Sequence, residues 1–315
     1  MEKKNLKIVF FGTPEFAVES LDALVKNEYN VVAVVTMPDK AAGRGHRLYQ
    51  SDVKKYAEEK GLKVLQPEKL KDPGFLAELM ALEADLFIVI AFRMLPKDVW
   101  QMPPLGTFNL HASLLPKYRG AAPINRAVMN GETETGVTTF FLKHEIDTGD
   151  MIMQRKIEIL PTDNVGDVHD RLMHLGAGMV LETVEAIING TLTTTPQPEG
   201  EFTPAPKIFK EDCRIDWNRT ASEIHNLVRG LSPYPAAWTI ITEESGRPLE
   251  CKVFETSPTG MKCAGSAAGT IKTEGKRLMV ASADEWIEII SLQPAGKKRM
   301  EGAAFLLGYH PASAM

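Results

Sequence analysis

Residues 7–35 read KIVFFGTPEFAVESLDALVKNEYNVVAVV. The apolar run ending at Phe11 has the look of a buried strand, and Gly12-Thr13-Pro14 turns the chain, with Thr13 placed to cap a helix and Pro14 in its first turn. Val18, Leu21, Leu24 and Val25 then recur on one helical face, before a second apolar run over 31–35. Strand, helix and strand in this order define a βαβ unit, and hence a parallel sheet covered by helices on both faces. The pattern continues outward: a helix is expected over 51–60 and further strands over 63–65, 86–91, 107–110 and 137–142. A Rossmann-like, parallel-rich α/β domain follows. The first turn, FFGTPEF, has one glycine where a dinucleotide fingerprint needs three, which disfavours a nicotinamide dehydrogenase.

The α/β pattern ends near residue 190. The next stretch, TLTTTPQPEGEFTPAP (191–206), holds four prolines and no sustained apolar periodicity, as an extended linker would. Beyond it come one helical pattern, 221–230, and short β-branched runs at 238–242, 249–254, 269–271, 278–281 and 286–292. Such strands between Gly, Pro and Asp turns predict a small OB-like β-barrel. The expected division is a first domain over 1–190, a linker over 191–207 and a barrel over 208–315.

Composition sets the outer limits. The chain of 315 residues is 44% hydrophobic and 24% charged, a globular mixture rather than a disordered one. Its 36 basic and 41 acidic side chains leave a net charge of −5, which excludes a globally cationic nucleic-acid coat protein but leaves room for a local basic patch. The charge is uneven: residues 1–206 carry 22 basic and 28 acidic groups (−6), and residues 207–315 carry 14 and 13 (+1). Three cysteines make no disulfide framework, and a cytoplasmic setting is expected. The N-terminus lacks a signal-peptide pattern, and no apolar run approaches the roughly 18 residues of a spanning helix, so no membrane association is expected.

The chemistry concentrates in TFNLHASLLPKYRG (107–120). If 108–110 is a buried strand, alternation puts Asn109 and His111 on one face, at the carboxyl end where open α/β sheets hold their ligands. An amide donor beside an imidazole suits oxyanion stabilisation and proton transfer. Downstream, KHEIDTGD (143–150) offers three carboxylates, Glu145, Asp147 and Asp150, and residue type alone does not choose among them. His169 and His174 read as polar positions of an amphipathic helix, no HExxH spacing occurs, and no metal is expected.

The run NLHASLLPKYRGAAPINRAV, with GETETGVTTFFLKHEIDTGDMI after it, strongly resembles the folate-dependent formyltransferases. FFGTPEFAV, TMPDKAAGRGHRL, CRIDWNRTA and SLQPAGKKRM extend the resemblance over nearly the whole chain and point to the branch of that family that acts on tRNA. The resemblance implies that Asn109, His111 and Asp147 are catalytic. It implies transfer of the formyl group of 10-formyltetrahydrofolate to the α-amine of methionyl initiator tRNA, through a tetrahedral oxyanion held by Asn109 and protonated His111 beside Asp147. The folate would lie on Ala91, Phe92, Arg93, Met94 and Leu95 and on Ser113, Leu114, Leu115 and Pro116. Here 91–96 departs from the Tyr-Gly-led loop familiar in the tRNA branch. Lys40, Arg44 and Arg47 would meet the tRNA acceptor end, Lys297 and Lys298 its backbone, and a monomer is expected. Two rivals stand beside this: a formyltransferase for a small amine such as an amino sugar nucleotide, and a non-catalytic RNA-binding protein.

Overall fold

The computed structural model describes residues 2–42, 47–200, 202–263 and 265–315. The chain forms two compact units, one made of Met1–Gly120, Gly136–Ile157 and His169–Pro204, the other of Ala121–Thr135, Glu158–Val168 and Ala205–Met315. Through residue 189 the strands are β1 (Lys7–Gly12), β2 (Asn30–Val35), β3 (Lys40–Ala42), β4 (Arg47–Tyr49), β5 (Val64–Leu65), β6 (Leu86–Ile90), β7 (Thr107–His111), β8 (Arg119–Gly120), β9 (Glu134–Phe141) and β10 (Met151–Glu158). The helices are α1 (Glu15–Lys26), α2 (Asp52–Glu59), α3 (Pro73–Ala81), α4 (Lys97–Trp100), α5 (Pro123–Met129) and α6 (Val165–Asn189).

Seven strands form one sheet in the order β10-β9-β7-β6-β1-β2-β5. β1 pairs in parallel with β2 and β6, and β6 with β7, while β9 runs antiparallel to β7. This is the parallel-rich Rossmann-like sheet expected. Its central strands are apolar throughout because both faces are covered: all five residues of β6, LFIVI, are buried. Alternation sends Val9, Phe11, Phe87 and Val89 to one face, where they pack with Phe75, Leu79 and Val99. Gly12 fits the first turn for a steric reason, since a Cβ there would sit 2.7 Å from Ala17 Cβ and 2.8 Å from Phe10 Cε1. Thr13 does not cap α1; the helix starts at Glu15 behind Pro14, whose backbone is still extended, and no side chain caps it. β3 and β4 form a separate antiparallel hairpin.

The second unit contains α5 together with β11 (Pro204–Ala205, at the junction), α7 (Ala221–Leu231), β12 (Ala237–Glu243), β13 (Pro248–Lys262), β14 (Ile271–Glu274), β15 (Arg277–Ala281), β16 (Glu285–Pro294), β17 (Met300–Glu301), α8 (Gly302–Phe305) and β18 (Pro311–Ala314). The order β14-β15-β16-β13-β12-β18 is antiparallel, and a bridge between Thr270 and Ser313 brings its two ends together into a nearly closed barrel. Trp217, Ile224, Val228, Ile241, Val253, Ile287 and Phe305 fill its core. Thr220 and Glu223 make a reciprocal capping box at the start of α7, satisfying two backbone donors that the helix leaves open.

The described residues of 191–204, read from their prolines as part of a spacer, belong to the first unit. Thr195 and Met151 exchange two backbone hydrogen bonds of 2.8 Å, and Tyr118 N donates to Thr203 O at 2.7 Å.

Candidate active site

The carboxyl ends of β6 and β7 lie side by side, with Val89 opposite Asn109 and Ile90 opposite Leu110. His111 is buried, and its ring stands edge-on to Phe140. Nε2 lies 2.9 Å from the Tyr118 carbonyl, which only accepts, so Nε2 carries the hydrogen and Nδ1 is the free ring atom. Nδ1 faces Asp147 Oδ2 at 3.7 Å. That is too long for a direct hydrogen bond and short enough for charge pairing with an imidazolium. Gly120 N donates to the same carboxylate oxygen at 2.9 Å. Among the described residues the Asn109 amide has no hydrogen-bond partner, although it is half-buried. A buried or half-buried amide left open in this way is available to a ligand.

The structure chooses among the three carboxylates. Asp147 is the one turned to His111, Asp150 is paired with Lys143 at 2.8 Å, and Glu145 is exposed. The loop is sterically fixed at Gly149, where a Cβ would overlap the Phe141 carbonyl oxygen at 1.5 Å. Three non-glycine residues in left-handed backbone surround the site: Ala91 (φ 46°), Tyr118 (φ 63°) and Asp147 (φ 54°). Such conformations cost on the order of 1–3 kcal/mol each and persist only where neighbours impose them.

The expected folate residues separate by environment. Ala91 and Met94 are exposed, Leu95 is buried, and Phe92 packs on the sheet core beside Phe11. Arg93 is tied inward: it donates to the carbonyls of Glu68 (2.8 Å) and Pro67, and burial pulls its guanidinium value below the ordinary one. Its charge therefore buttresses the loop. Ser113 is fully buried and donates to Lys117 O at 2.7 Å. Leu114 and Pro116 are half-buried and Leu115 is buried. Thr138 and Gln154 hold this segment from β9 and β10, Thr138 Oγ1 donating to Ser113 O and Gln154 Nε2 to Leu115 O. A cleft of about 510 Å³ lies between Arg93–Pro96, Glu68–Lys71 and His144, and another of about 670 Å³ is lined by Trp100, Arg119, Lys143, Thr148, Gln197 and Phe202 among others.

Of the expected tRNA contacts, Lys40 is exposed, while Arg44 and the Arg47 side chain lie outside the described residues. Lys297 and Lys298 are exposed on the turn between β16 and β17, with no ion-pair partner among the described residues. The root of the 36–50 loop is anchored: Asp39 accepts from Lys54 Nζ at 2.6 Å and from Gln66 Nε2 at 2.7 Å, and these contacts hold its carboxyl below the usual range. Among the described residues no cluster of three His, Cys, Asp or Glu side chains is arranged to hold a metal.

Tyr118, Arg119, Gly120 and Gln197 also belong to the site, and the sequence singled out none of them. The first three lie in the quoted stretch; Tyr118 and Gly120 act through backbone atoms and Arg119 through its guanidinium. Gln197 sits between two prolines in what reads as a spacer.

A Rossmann-like sheet with this Asn-x-His strand end and facing carboxylate matches two family models, "Formyl transferase" over residues 6–184 and "Formyl transferase, C-terminal domain" over 207–310, and the chain belongs to the formyl transferase family. Two relatives carry the name methionyl-tRNA formyltransferase: one from Bacteroides fragilis, 56% identical with 98% of this chain and 97% of the relative covered, and one from Phocaeicola vulgatus, 58% identical with the same coverage. Among solved structures, an N-formyltransferase from Helicobacter canadensis, in complex with folinic acid and dTDP-3-aminofucose, superposes with a TM-score of 0.68 over 92% of this chain and 99% of that one. At 22% identity that likeness shows the fold.

Proposed function

We propose that this chain transfers the formyl group of 10-formyltetrahydrofolate to the α-amine of methionyl initiator tRNA, producing N-formylmethionyl-tRNA for translation initiation. The observation that carries the proposal is His111 Nδ1 facing Asp147 at 3.7 Å at the end of β7, with Asn109 two residues earlier on the same strand. The full-length relatives supply the substrate class. The amine nitrogen attacks the formyl carbon, and the carbonyl π electrons move to its oxygen. Asn109 and the Nδ1–H of imidazolium His111 donate to that oxyanion, each worth roughly 10²- to 10³-fold. Asp147 stabilises the imidazolium and receives the amine proton, directly or through water, an effect of about 10²- to 10⁴-fold. The oxyanion then collapses, the carbon–N10 bond breaks, and N10 leaves with the electron pair and takes up a proton.

The cleft between Arg93–Pro96 and His144 supports a pterin site there, with Met94 and Leu95 in its lining and Ala91 and Phe92 just before them in the same loop. The 113–116 segment is the other candidate wall. Lys40, Arg44 and Arg47 would contact the acceptor end, and Lys297 and Lys298 the tRNA backbone. In this account residues 1–190 carry catalysis and 208–315 help hold the tRNA, and the protein acts in the cytoplasm as a monomer. No helix among the described residues is long and apolar enough to cross a membrane.

The test is transfer of labelled formyl with methionyl initiator tRNA, methionyl elongator tRNA and an amino sugar nucleotide offered side by side. Label is expected on the initiator tRNA. Label on the sugar alone contradicts the proposal.

A further inference from the structure

We infer that Gln197 is a positioning residue for catalysis, holding the Asp147 loop against His111; the inference rests on the function proposed above. Its amide is fully used. Nε2 donates to the Asp147 carbonyl at 2.7 Å and to the Gly149 carbonyl at 2.9 Å, while Oε1 accepts from Arg119 Nη2 at 2.6 Å and Nε at 3.1 Å. Only this orientation of the amide works, because the carbonyls on one side only accept and the guanidinium on the other only donates.

The consequence is a closed frame. Three consecutive residues each fix one part of the catalytic pair: Tyr118 O accepts from His111 Nε2, Arg119 grips Gln197 and through it the Asp147 backbone, and Gly120 N holds the Asp147 carboxylate. Asp147 needs such restraint because its backbone is left-handed at φ 54°, a conformation that its neighbours must impose. Gln197 is itself held in place by the Thr195–Met151 backbone pair two residues before it. The proline-rich segment thus works as a brace on the 143–150 loop, over and above any connecting role.

The decisive variants are Gln197→Ala and Gln197→Glu. The glutamate keeps the shape and the grip on Arg119 but loses both donors to the loop, so it removes the brace without undocking the segment. Both are expected to lower kcat roughly 10- to 100-fold, as small displacements of reacting groups do. KM for tRNA and for folate should change no more than about 3-fold, and the acidic limb of the kcat–pH profile should move. Arg119→Met should show a smaller loss of the same kind, and Arg119→Met/Gln197→Ala should lose no more than Gln197→Ala alone. If Gln197→Ala melts early, Gln197→Glu carries the test. A kcat within about 2-fold of wild type with an unmoved pH profile, a loss confined to KM, or additive effects of Arg119 and Gln197 would each overturn the inference. His111→Ala, assayed alongside, separates the two levels. Retained turnover there sinks the proposed function itself, whereas its loss with unaffected Gln197 variants sinks only the brace.

Discussion

Asn109 is the open polar group of the site, and its value to the reaction is directly measurable. On the role proposed for it, Asn109→Ala is expected to cost about 10²- to 10³-fold in kcat with little change in KM, because such a donor works on charge that develops only in the transition state. Gly149 offers a different residue-scale test. Gly149→Ala sets a methyl group 1.5 Å from the Phe141 carbonyl oxygen, so strand or loop must shift. Activity should fall further than thermal stability, since the 143–150 loop can move more easily than the paired strand; an active Gly149→Ala enzyme would contradict this steric account. The pairing of Asn109 with His111 was legible in the sequence because a strand's period of two dictates it. Spacing alone did not choose Asp147 over Glu145 and Asp150, because a loop has no period; the family resemblance pointed to Asp147, and the structure turns it toward His111 while Asp150 pairs with Lys143.

At the scale of elements, the buried parallel strands and the edge strand β5 were legible, and the edge strands β10 and β18 were not. β6 announces itself as LFIVI, whereas β10, with half or more of its positions exposed, and β18, the run PASA, carry no apolar alternation and owe their places to backbone pairing. α7 yields a pH prediction. His225 lies half-buried on it, its Nδ1 3.2 Å from Thr256 Oγ1, and desolvation, with Arg229 nearby, holds its imidazole below the ordinary value of 6.5. In the unfolded chain it binds a proton more readily, so folding stability should fall as pH drops from about 6.5 toward the lowered folded value, then level off. His225→Gln should remove that slope from urea unfolding curves collected between about pH 7.5 and 5. An unchanged slope would show that other groups set it.

Across the whole molecule, a net charge of −5 conceals an acidic first part and a near-neutral second part. In the proposed function, tRNA contact would fall on a few placed cations rather than on the surface as a whole. Arg44→Ala is expected to raise KM for tRNA more than for folate, and replacing Lys297 and Lys298 by alanine should flatten the dependence of log Kd on log salt by roughly 0.7–0.9 per lost phosphate contact. Equal effects of Arg44→Ala on both substrates would remove the basic loop from tRNA recognition. The division into an α/β part and a barrel was readable from periodicity. The membership of Thr195 and Thr203 in the first unit, through their bonds to Met151 and Tyr118, was not, because prolines signal extension without saying what an extended chain will pack against. The central claim is that Asn109, His111 and Asp147 perform formyl transfer on a bound methionyl-tRNA, and turnover of His111→Ala at saturating substrates, measured beside its tRNA Kd, tests it most directly. The account predicts a loss of at least about 100-fold in kcat with Kd changed less than about 3-fold; near-normal turnover would contradict it.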